Sequence, residues 1–138
     1  MTICVWKPEG ELPDSARLPF AELLEAAAEI ERQLPAPFSV FIHGDCNINN
    51  IIYEHTEQRI HYIDLHRSRD TDYVQDVSVF LVSNFRLPVV EEDIRTRIDW
   101  MIASFLQFAR EFAREHGDET FEARLTLGLI RSFITSTR

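Results

Sequence analysis

A dense group of polar side chains in FIHGDCNINN, residues 41–50, is the part of the sequence best suited to chemistry. The group follows a short apolar run, so it stands at the end of a predicted strand. Its carboxylate, amide, imidazole and thiol groups can stabilise a turn, bind a metal ion or move a proton. The polar members are His43, Asp45, Cys46, Asn47, Asn49 and Asn50. The segment is therefore a turn, a transition-metal site or a catalytic loop.

A turn is the simplest interpretation, because Asn, Asp and His are common in turns without any chemical role. A zinc site is the second interpretation, because five ligand residues fall close together in the sequence. These residues are His43, Cys46, His55, His61 and His66. Zinc sites usually combine two tight Cys or His pairs. His43 with Cys46 and His61 with His66 meet that spacing, but on a continuing strand His61 and His66 point to opposite faces.

A predicted β-hairpin supports the third interpretation, a catalytic loop. The runs IIYE (51–54) and RIHYI (59–63) flank the polar turn HTEQ. If the turn is centred near residue 57, residue i opposes residue 114 − i, and Asn50 faces Asp64. Opposed residues have Cα atoms roughly 4.5–5.5 Å apart. An amide and a carboxylate at that distance suit Mg²⁺, with Asp45 beside them as a base.

The remaining patterns predict helices around this small β region, in an α+β, mostly helical fold. Residues 1–18 are polar and contain Pro and Gly, which indicates a loop or linker. A first helix begins at Pro19 and stops before Pro35. Three further helices are predicted at about 72–85, 91–116 and 119–134, with Gly117 ending the long one.

The spacing of apolar residues predicts which face of each later helix is buried. In 72–85 this face contains Tyr73, Val77, Phe80 and Leu81. In 91–116 it contains Ile94, Ile98, Met101, Ile102, Phe105, Phe108, Ala109 and Phe112. In 119–134 it contains Phe121, Leu125, Leu129, Ile130 and Phe133.

Composition narrows the class of protein. The chain has 138 residues, of which 45% are hydrophobic, so we expect one globular domain or part of one. A net charge of −9 disfavours nucleic acid and anionic membranes as partners. The sequence has no apolar run of membrane-spanning length and no secretion signal at its start, and its two cysteines form no CxxC pair. These features predict a cytoplasmic protein.

The order of the polar motifs resembles one family of phosphotransferases. His43-Gly44-Asp45, followed by four residues and Asn50, is similar to the HGDxxxxN loop of the aminoglycoside phosphotransferase/choline kinase family. Ile63-Asp64 after the hairpin resembles that family's metal aspartate. Asp72 and Asp76, which open a predicted helix, resemble its DxxxDxA segment. The resemblance covers residues 38–82.

The resemblance implies an ATP-dependent kinase that acts on a hydroxyl group of a small molecule, with Mg²⁺ and ATP. It implies that Asp45 is the catalytic base or orients the hydroxyl, and that Asn50 and Asp64 bind Mg²⁺. His43 and Asp76 would support the site, with Asp76 bracing the loop through hydrogen bonds. Cys46, Asn47 and Asn49 match no family position, so we expect them only to hydrogen-bond within the loop.

Residues 19–138 resemble the C-terminal lobe of that family alone, so we expect the nucleotide-binding N-terminal lobe to be absent from these 138 residues. Lys7, the one lysine, does not fit the lysine that binds ATP, because Pro8 follows it and no strand does. We therefore expect the chain to be inactive by itself. We also expect apolar surface near 38–42 and 51–63, covered by an N-terminal lobe or by a second copy in a homodimer. The alternative function is a non-catalytic kinase-like remnant that acts as an interaction or regulatory module.

Two arginines after the presumed metal aspartate depart from the family pattern. Arg67 and Arg69 can contact an anionic group of a substrate, or they can lie in a solvated loop or pair with Asp70 and Asp72. The second interpretation is the simpler one. The acidic charge of the chain is compatible with a cationic acceptor such as an aminoglycoside or choline, but it identifies none.

Overall fold

The computed structural model describes residues 20–135 and divides into two units, Met1–Gln33 and Leu34–Arg138. The first unit contains helix α1, Phe20–Gln33, which ends just before Pro35, as predicted. The predicted linker at 1–18 lies outside the described residues. The second unit contains three helices and two small antiparallel sheets, so the mostly helical α+β class is confirmed.

Four short strands form the two sheets. Strand β1, Val40–Ile42, pairs with β4, Arg69–Thr71. Strands β2, Ile51–Glu54, and β3, Arg59–Tyr62, form the predicted hairpin. The sequence did not predict β4, because Arg-Asp-Thr has no apolar alternation and pairs only through its backbone. This pairing brings the segment after the hairpin back beside the strand that leads into the 43–50 loop.

The register predicted for the hairpin is wrong by one residue. Ile51 pairs with Tyr62, so that residue i opposes residue 113 − i. The turn, 55–58, has four residues, which puts its centre half a residue earlier than the predicted one. Asn50 therefore lies opposite Ile63, whose N–H donates to the Asn50 carbonyl oxygen at 3.0 Å, and not opposite Asp64.

Helix α2, Val74–Phe85, is the centre of the second unit and packs against α3, Glu92–Glu115, and α4, Phe121–Thr135. These bounds lie close to the predicted ones. The core contains one strand residue and residues from all three helices. Its members are Ile42, Tyr73, Val74, Val77, Leu81, Ala109, Ala113, Phe121 and Leu125. Every apolar residue predicted to be inward on α2 is buried.

The buried faces of α3 and α4 were predicted in part. Ile98 and Ala109 on α3, and Phe121 and Leu125 on α4, are buried as predicted. Residues predicted to be inward that are at least 40% exposed are Ile94 and Phe108 on α3, and Ile130 and Phe133 on α4. The buried stripe of α4 also includes Arg124, Gly128 and Ser132, which were not predicted. The cause is close helix packing, because a Cβ atom on Gly128 would lie 3.0 Å from the Ser78 side chain. Small and polar residues carry that contact, and a count of apolar residues misses them.

Candidate active site

The 43–50 loop leaves β1 through a glycine that no other residue can replace without strain. Gly44 has a φ of +84°, in the left-handed region that disfavours a Cβ atom. A Cβ atom built there would lie 2.3 Å from the carbonyl oxygen of Arg67. The HGD sequence therefore allows the loop to pass directly against the backbone that follows the hairpin.

His43 joins three parts of the site through its ring and its backbone. The buried ring accepts a hydrogen bond from the N–H of Asp45 at Nδ1, over 3.3 Å. Nδ1 is therefore unprotonated, and Nε2–H donates to the carbonyl oxygen of Ile63 at 2.8 Å. Through this ring, the loop is tied to the end of the hairpin, directly before Asp64.

The first turn of α2 holds the loop by its backbone. The two carboxylate oxygens of Asp76 accept the N–H groups of His43 at 2.7 Å and Gly44 at 3.0 Å. Gln75 donates its side-chain N–H to the carbonyl oxygen of Gly44 at 2.9 Å. Hydrogen bonds from backbone amides to a carboxylate are stronger than neutral ones, so this brace fixes the loop firmly.

Asp45 presents a partly exposed carboxylate from the braced loop. Its Oδ1 accepts a hydrogen bond from Nδ2 of Asn47 at 3.1 Å, and its Oδ2 lies 3.6 Å from Nη1 of Arg67. The side-chain oxygen of Asn47 also accepts a hydrogen bond from the backbone N–H of Asn49 at 2.9 Å. Both residues therefore hydrogen-bond within the loop, as expected. The Asp45 carboxylate is thus oriented by neighbours and still has access to solvent.

A cavity of about 330 Å³ opens beside Asp45. It is lined by Asp45, Asn47 and Arg67 and by side chains of α2 and α4. This volume is at the lower end of the range for small-molecule sites. The arrangement therefore gives the Asp45 carboxylate a space that a small ligand can enter.

Asn50 is buried at the end of the loop and is linked to Asp45. Its Nδ2 donates to the carbonyl oxygen of Asp45 at 2.9 Å. With the nitrogen committed in this way, the amide oxygen is the end that can bind a cation. The sequence predicted that Asn50 lies near Asp45, and the hydrogen bond shows that it does.

Asp64 lies at the start of the short segment between the hairpin and β4. Its φ of 61° and ψ of 48° are left-handed, a conformation uncommon for a residue other than glycine and often found at functional sites. Its half-exposed carboxylate contacts Nδ1 of His66 at 2.6 Å. The structure links Asp64 to the site through the preceding Ile63, which hydrogen-bonds both Asn50 and His43.

The side chains of Asn50 and Asp64 carry oxygen atoms of the kind that bind Mg²⁺. A carboxylate and an amide oxygen are hard ligands, and magnesium sites often have only one or two protein ligands, completed by phosphate and water. Within residues 20–135, no three His, Cys, Asp or Glu side chains are grouped so as to hold a metal ion. The zinc interpretation therefore has no support in the described part of the chain.

Cys46 is not a reactive thiol in this environment. Burial, and then the negative charges of Asp76 and Asp45, raise the pKa of its thiol to about 11. The thiol is therefore protonated at neutral pH, whereas a nucleophilic cysteine reacts as the thiolate.

Arg67 and Arg69 differ in their surroundings. Arg67 lies beside Asp45, as described, although its side chain is 61% exposed. Arg69 donates a long hydrogen bond of 3.4 Å to the side chain of Gln75. The alternative in which these arginines pair with Asp72 is not found, because Asp72 pairs with Arg124.

Arg124 belongs to a buried cluster that the sequence analysis missed. It forms ion pairs with Asp72 and Asp118, and Nε donates to the Thr120 hydroxyl at 3.1 Å. Tyr73 donates its hydroxyl to Asp118 at 2.6 Å. Burial by itself would raise the pKa of Asp118, but the hydrogen bonds and charge of its partners lower it below the usual value. The sequence did contain one signal for this cluster. Arg124 lies three residues after Phe121 and four before Gly128, so it shares the buried face of α4 with them.

The comparison with known families agrees with a kinase-like class of protein. The model of the ecdysteroid kinase-like family matches residues 12–112, nearly three quarters of the chain. The chain therefore belongs to the ecdysteroid kinase-like family, a protein-kinase-like family related to the aminoglycoside phosphotransferases and choline kinases. The family indicates a kinase-like phosphotransferase. The resemblance in the sequence indicated the correct class, the kinase-like phosphotransferases. The matching family is the ecdysteroid kinase-like family, however, and not the aminoglycoside phosphotransferase/choline kinase family.

Neither the curated proteins nor the solved structures contain a match to this chain. Among residues 20–135, no helix combines the length and the apolar character needed to cross a membrane.

Proposed function

We propose that this protein takes part in the transfer of the γ-phosphoryl group of ATP to a hydroxyl group of a small molecule. The observation that carries the proposal is the hydrogen-bonded connection of Asp45, Asn50 and Ile63, the residue before Asp64. The His43 ring bonds Asp45 and Ile63, and Asn50 bonds the same two residues directly. A simple turn needs no such connection between three segments of the chain. Phosphoryl transfer depends mainly on positioning and charge, and a braced loop supplies the positioning.

Asp45 is the proposed base. The acceptor enters the adjacent cavity, and its hydroxyl group donates a hydrogen bond to the Asp45 carboxylate. As the hydroxyl oxygen bonds to the γ-phosphorus, its proton passes to Asp45, and the bond from phosphorus to the bridging oxygen of ADP breaks. The partial exposure of Asp45 is consistent with this role, because its carboxylate must reach a substrate.

Asn50 and Asp64 are the proposed ligands of Mg²⁺. When bound, the ion would offset the negative charge of the β- and γ-phosphates of ATP. Asn50 is oriented for this role by its bond to the Asp45 carbonyl oxygen, and Asp64 by its left-handed backbone. His43 and Asp76 hold the loop and do not touch the substrate.

The second unit is proposed to be the C-terminal lobe of a kinase-like fold, with ATP bound against an N-terminal lobe. The hairpin supports this assignment, because it exposes large apolar side chains that a partner would cover. They are Ile52, Tyr53, Ile60 and Tyr62, each about half exposed or more. The proposed partner is that lobe or a second copy of the chain.

The acceptor is proposed only as a small molecule with a free hydroxyl group. The family description names ecdysteroids, which carry hydroxyl groups, and it gives no support to an aminoglycoside acceptor. The cavity beside Asp45 contains one carboxylate and one guanidinium group and has no excess of negative charge. An acceptor with several ammonium groups would find few carboxylates there.

Phosphate transfer from ATP by the natural full-length protein tests the proposal, with hydroxylated steroids and aminoglycosides as acceptors. Asp45→Asn should slow transfer by roughly 10²–10⁴-fold, while replacement of an exposed acid on β4 in Asp70→Asn should leave it intact. If transfer is unaffected by Asp45→Asn, the assignment of the base is wrong. If no transfer or ATP hydrolysis is found and Mg·ATP does not bind, the alternative of a non-catalytic remnant is correct.

A further inference from the structure

The strongest feature outside the candidate active site is the buried cluster around Arg124. The side chain of Arg124 is 4% exposed and that of Asp118 is fully buried. All three guanidinium nitrogens are used, with Nη1 on Asp72, Nη2 on Asp118 and Nε on Thr120. The guanidinium carbon also lies 5.7 Å from the centre of the Tyr73 ring. A buried charge costs free energy unless it is fully paired, so this cluster has one well-defined arrangement.

The cluster contacts the residues that begin α2. The Asp72 carboxylate that pairs with Arg124 also accepts the N–H of Val74 at 3.0 Å, and the Asp72 carbonyl oxygen accepts the N–H of Gln75 at 3.2 Å. Tyr73 joins the cluster from the next position. The start of α2 is thus fixed from α4 and from the turn between α3 and α4.

The same turn of α2 holds the catalytic loop. Gln75 and Asp76 follow the cluster residues Asp72 and Tyr73 after one residue, Val74, and make the three hydrogen bonds to the backbone of His43 and Gly44. An Asp76 carboxylate can satisfy two N–H groups only if the helix start is held at the right distance and angle. Movement of the helix start would therefore be transmitted to the loop.

We infer that Arg124 is a positioning residue for the catalytic loop, acting through Asp72 and the first turn of α2. The inference rests on the proposed function only in calling the loop catalytic. Arg124 does not reach the cavity beside Asp45, so it acts on the loop and not on a substrate. The pairing also explains why an arginine occupies the buried face of α4, where apolar packing alone would favour leucine.

Hydrogen exchange of single backbone amides tests the inference without any substrate. Nuclear magnetic resonance of the full chain should show that Arg124→Gln speeds exchange of the His43 and Gly44 amides about tenfold or more. The amides of Ile98 and Ala109 in α3 should accelerate much less. Arg110→Gln is the matched control, because it removes another arginine that pairs with α4, in an exposed ion pair between Arg110 on α3 and Glu122 on α4.

The comparison separates positioning from general stabilisation. If the exchange rates of the His43 and Gly44 amides do not change, or rise by the same factor as those of the α3 amides, the inference is wrong. If Arg124→Gln does not fold, Asp72→Ser is measured by the same criteria. Serine can still accept the Val74 N–H, but it offers no charge to Arg124. Because exchange reports on the loop alone, a failure of the inference is distinct from a failure to transfer phosphate.

Discussion

Asp45, Asn50 and Asp64 have three different surroundings, and these predict different consequences of mutation. Asp45 is bonded by neighbours within the loop, Asn50 is buried and bonded to the loop backbone, and Asp64 is half exposed after the hairpin. A base and two metal ligands need such a division, because the base must reach the acceptor while the ligands face the nucleotide. Because the surroundings differ, we expect mutations of these residues to affect catalysis and nucleotide binding separately.

Variants of the two aspartates in the full-length protein should separate catalysis from nucleotide binding. Asp64→Ala should weaken Mg·ATP binding and abolish transfer together, because the proposed metal ligand is lost. Asp45→Asn should leave nucleotide affinity nearly unchanged while kcat falls by roughly 10²–10⁴-fold. Asn50→Ala should lie between them and be partly rescued by higher Mg²⁺. Calorimetry beside steady-state rates gives the comparison. Equal loss of nucleotide affinity in Asp45→Asn and Asp64→Ala would contradict these roles.

Replacement of Gly44 by alanine should strongly destabilise the chain. Gly44 combines a positive φ with a close approach to the Arg67 carbonyl oxygen, so Gly44→Ala should lower the free energy of unfolding by about 2–5 kcal/mol. Gly117→Ala is the matched control, because Gly117 has a φ of +66° but no atom within 4 Å of an added Cβ. It should cost only about 1–2 kcal/mol. Urea unfolding measures both, and equal losses would show that the contact with Arg67 does not matter.

At the scale of elements, the first turn of α2 connects the two polar networks of the second unit. Asp72 and Tyr73 join the Arg124 cluster, and Gln75 and Asp76 hold the 43–50 loop. Helix α2 also supplies five of the twelve buried apolar residues in the described part of the chain, more than any other element. A perturbation of this helix should therefore affect both the core and the candidate active site.

The ion pair at the start of α4 predicts a specific dependence of stability on pH. The pKa of Asp118 is lower in the folded chain than the usual value of 3.8, so the folded state favours its charged form. This stabilisation is fully present above about pH 4 and is lost as the pH falls through the lowered pKa. Asp118→Asn should lower the free energy of unfolding by about 3 kcal/mol at pH 7. The difference from the unmodified chain should shrink steadily below pH 4.

Urea unfolding at several pH values checks this prediction. Glu122→Gln is a suitable control, because Glu122 pairs with Arg110 on an exposed surface and should change stability by less than about 1 kcal/mol. A loss in Asp118→Asn that stays constant between pH 7 and pH 3 would contradict the role of the Asp118 charge.

At the scale of the whole molecule, the hairpin exposes several large apolar side chains of the second unit. Tyr53 and Ile60 oppose each other on one face and are each 56% exposed. Phe41 on β1 is 72% exposed. Soluble monomers rarely leave such patches uncovered, so the hairpin is the surface where we expect a partner.

The isolated chain should therefore associate with itself. Sedimentation at high concentration should show dimers or larger species, and Ile60→Lys should shift them toward the monomer. Thr56→Lys adds the same charge at the tip of the hairpin and should have little effect. A chain that stays monomeric at high concentration, or that responds equally to both substitutions, would contradict this expectation.

The sequence by itself determined the helices, the hairpin and the order of the polar motifs. These features depend on local periodicity, on proline and glycine, and on fixed spacing along the chain, all of which a sequence contains. The bounds of α2 and α3 and the mostly helical α+β class followed from these signals. The spacing of His43, Asp45 and Asn50 also placed them correctly in one loop.

Only the tertiary structure decided the register of the hairpin, the pairing of β4 and the small and polar residues on the buried face of α4. Register depends on the length and conformation of a turn. Because the centre of the turn lies half a residue earlier than predicted, the residue opposite Asn50 is Ile63 and not Asp64. Strand β4 forms through backbone bonds to β1, which its side chains do not encode. Arg124 is buried because Asp72 and Asp118 come from distant parts of the chain to pair with it. Contacts between residues so far apart in sequence leave no local pattern to read.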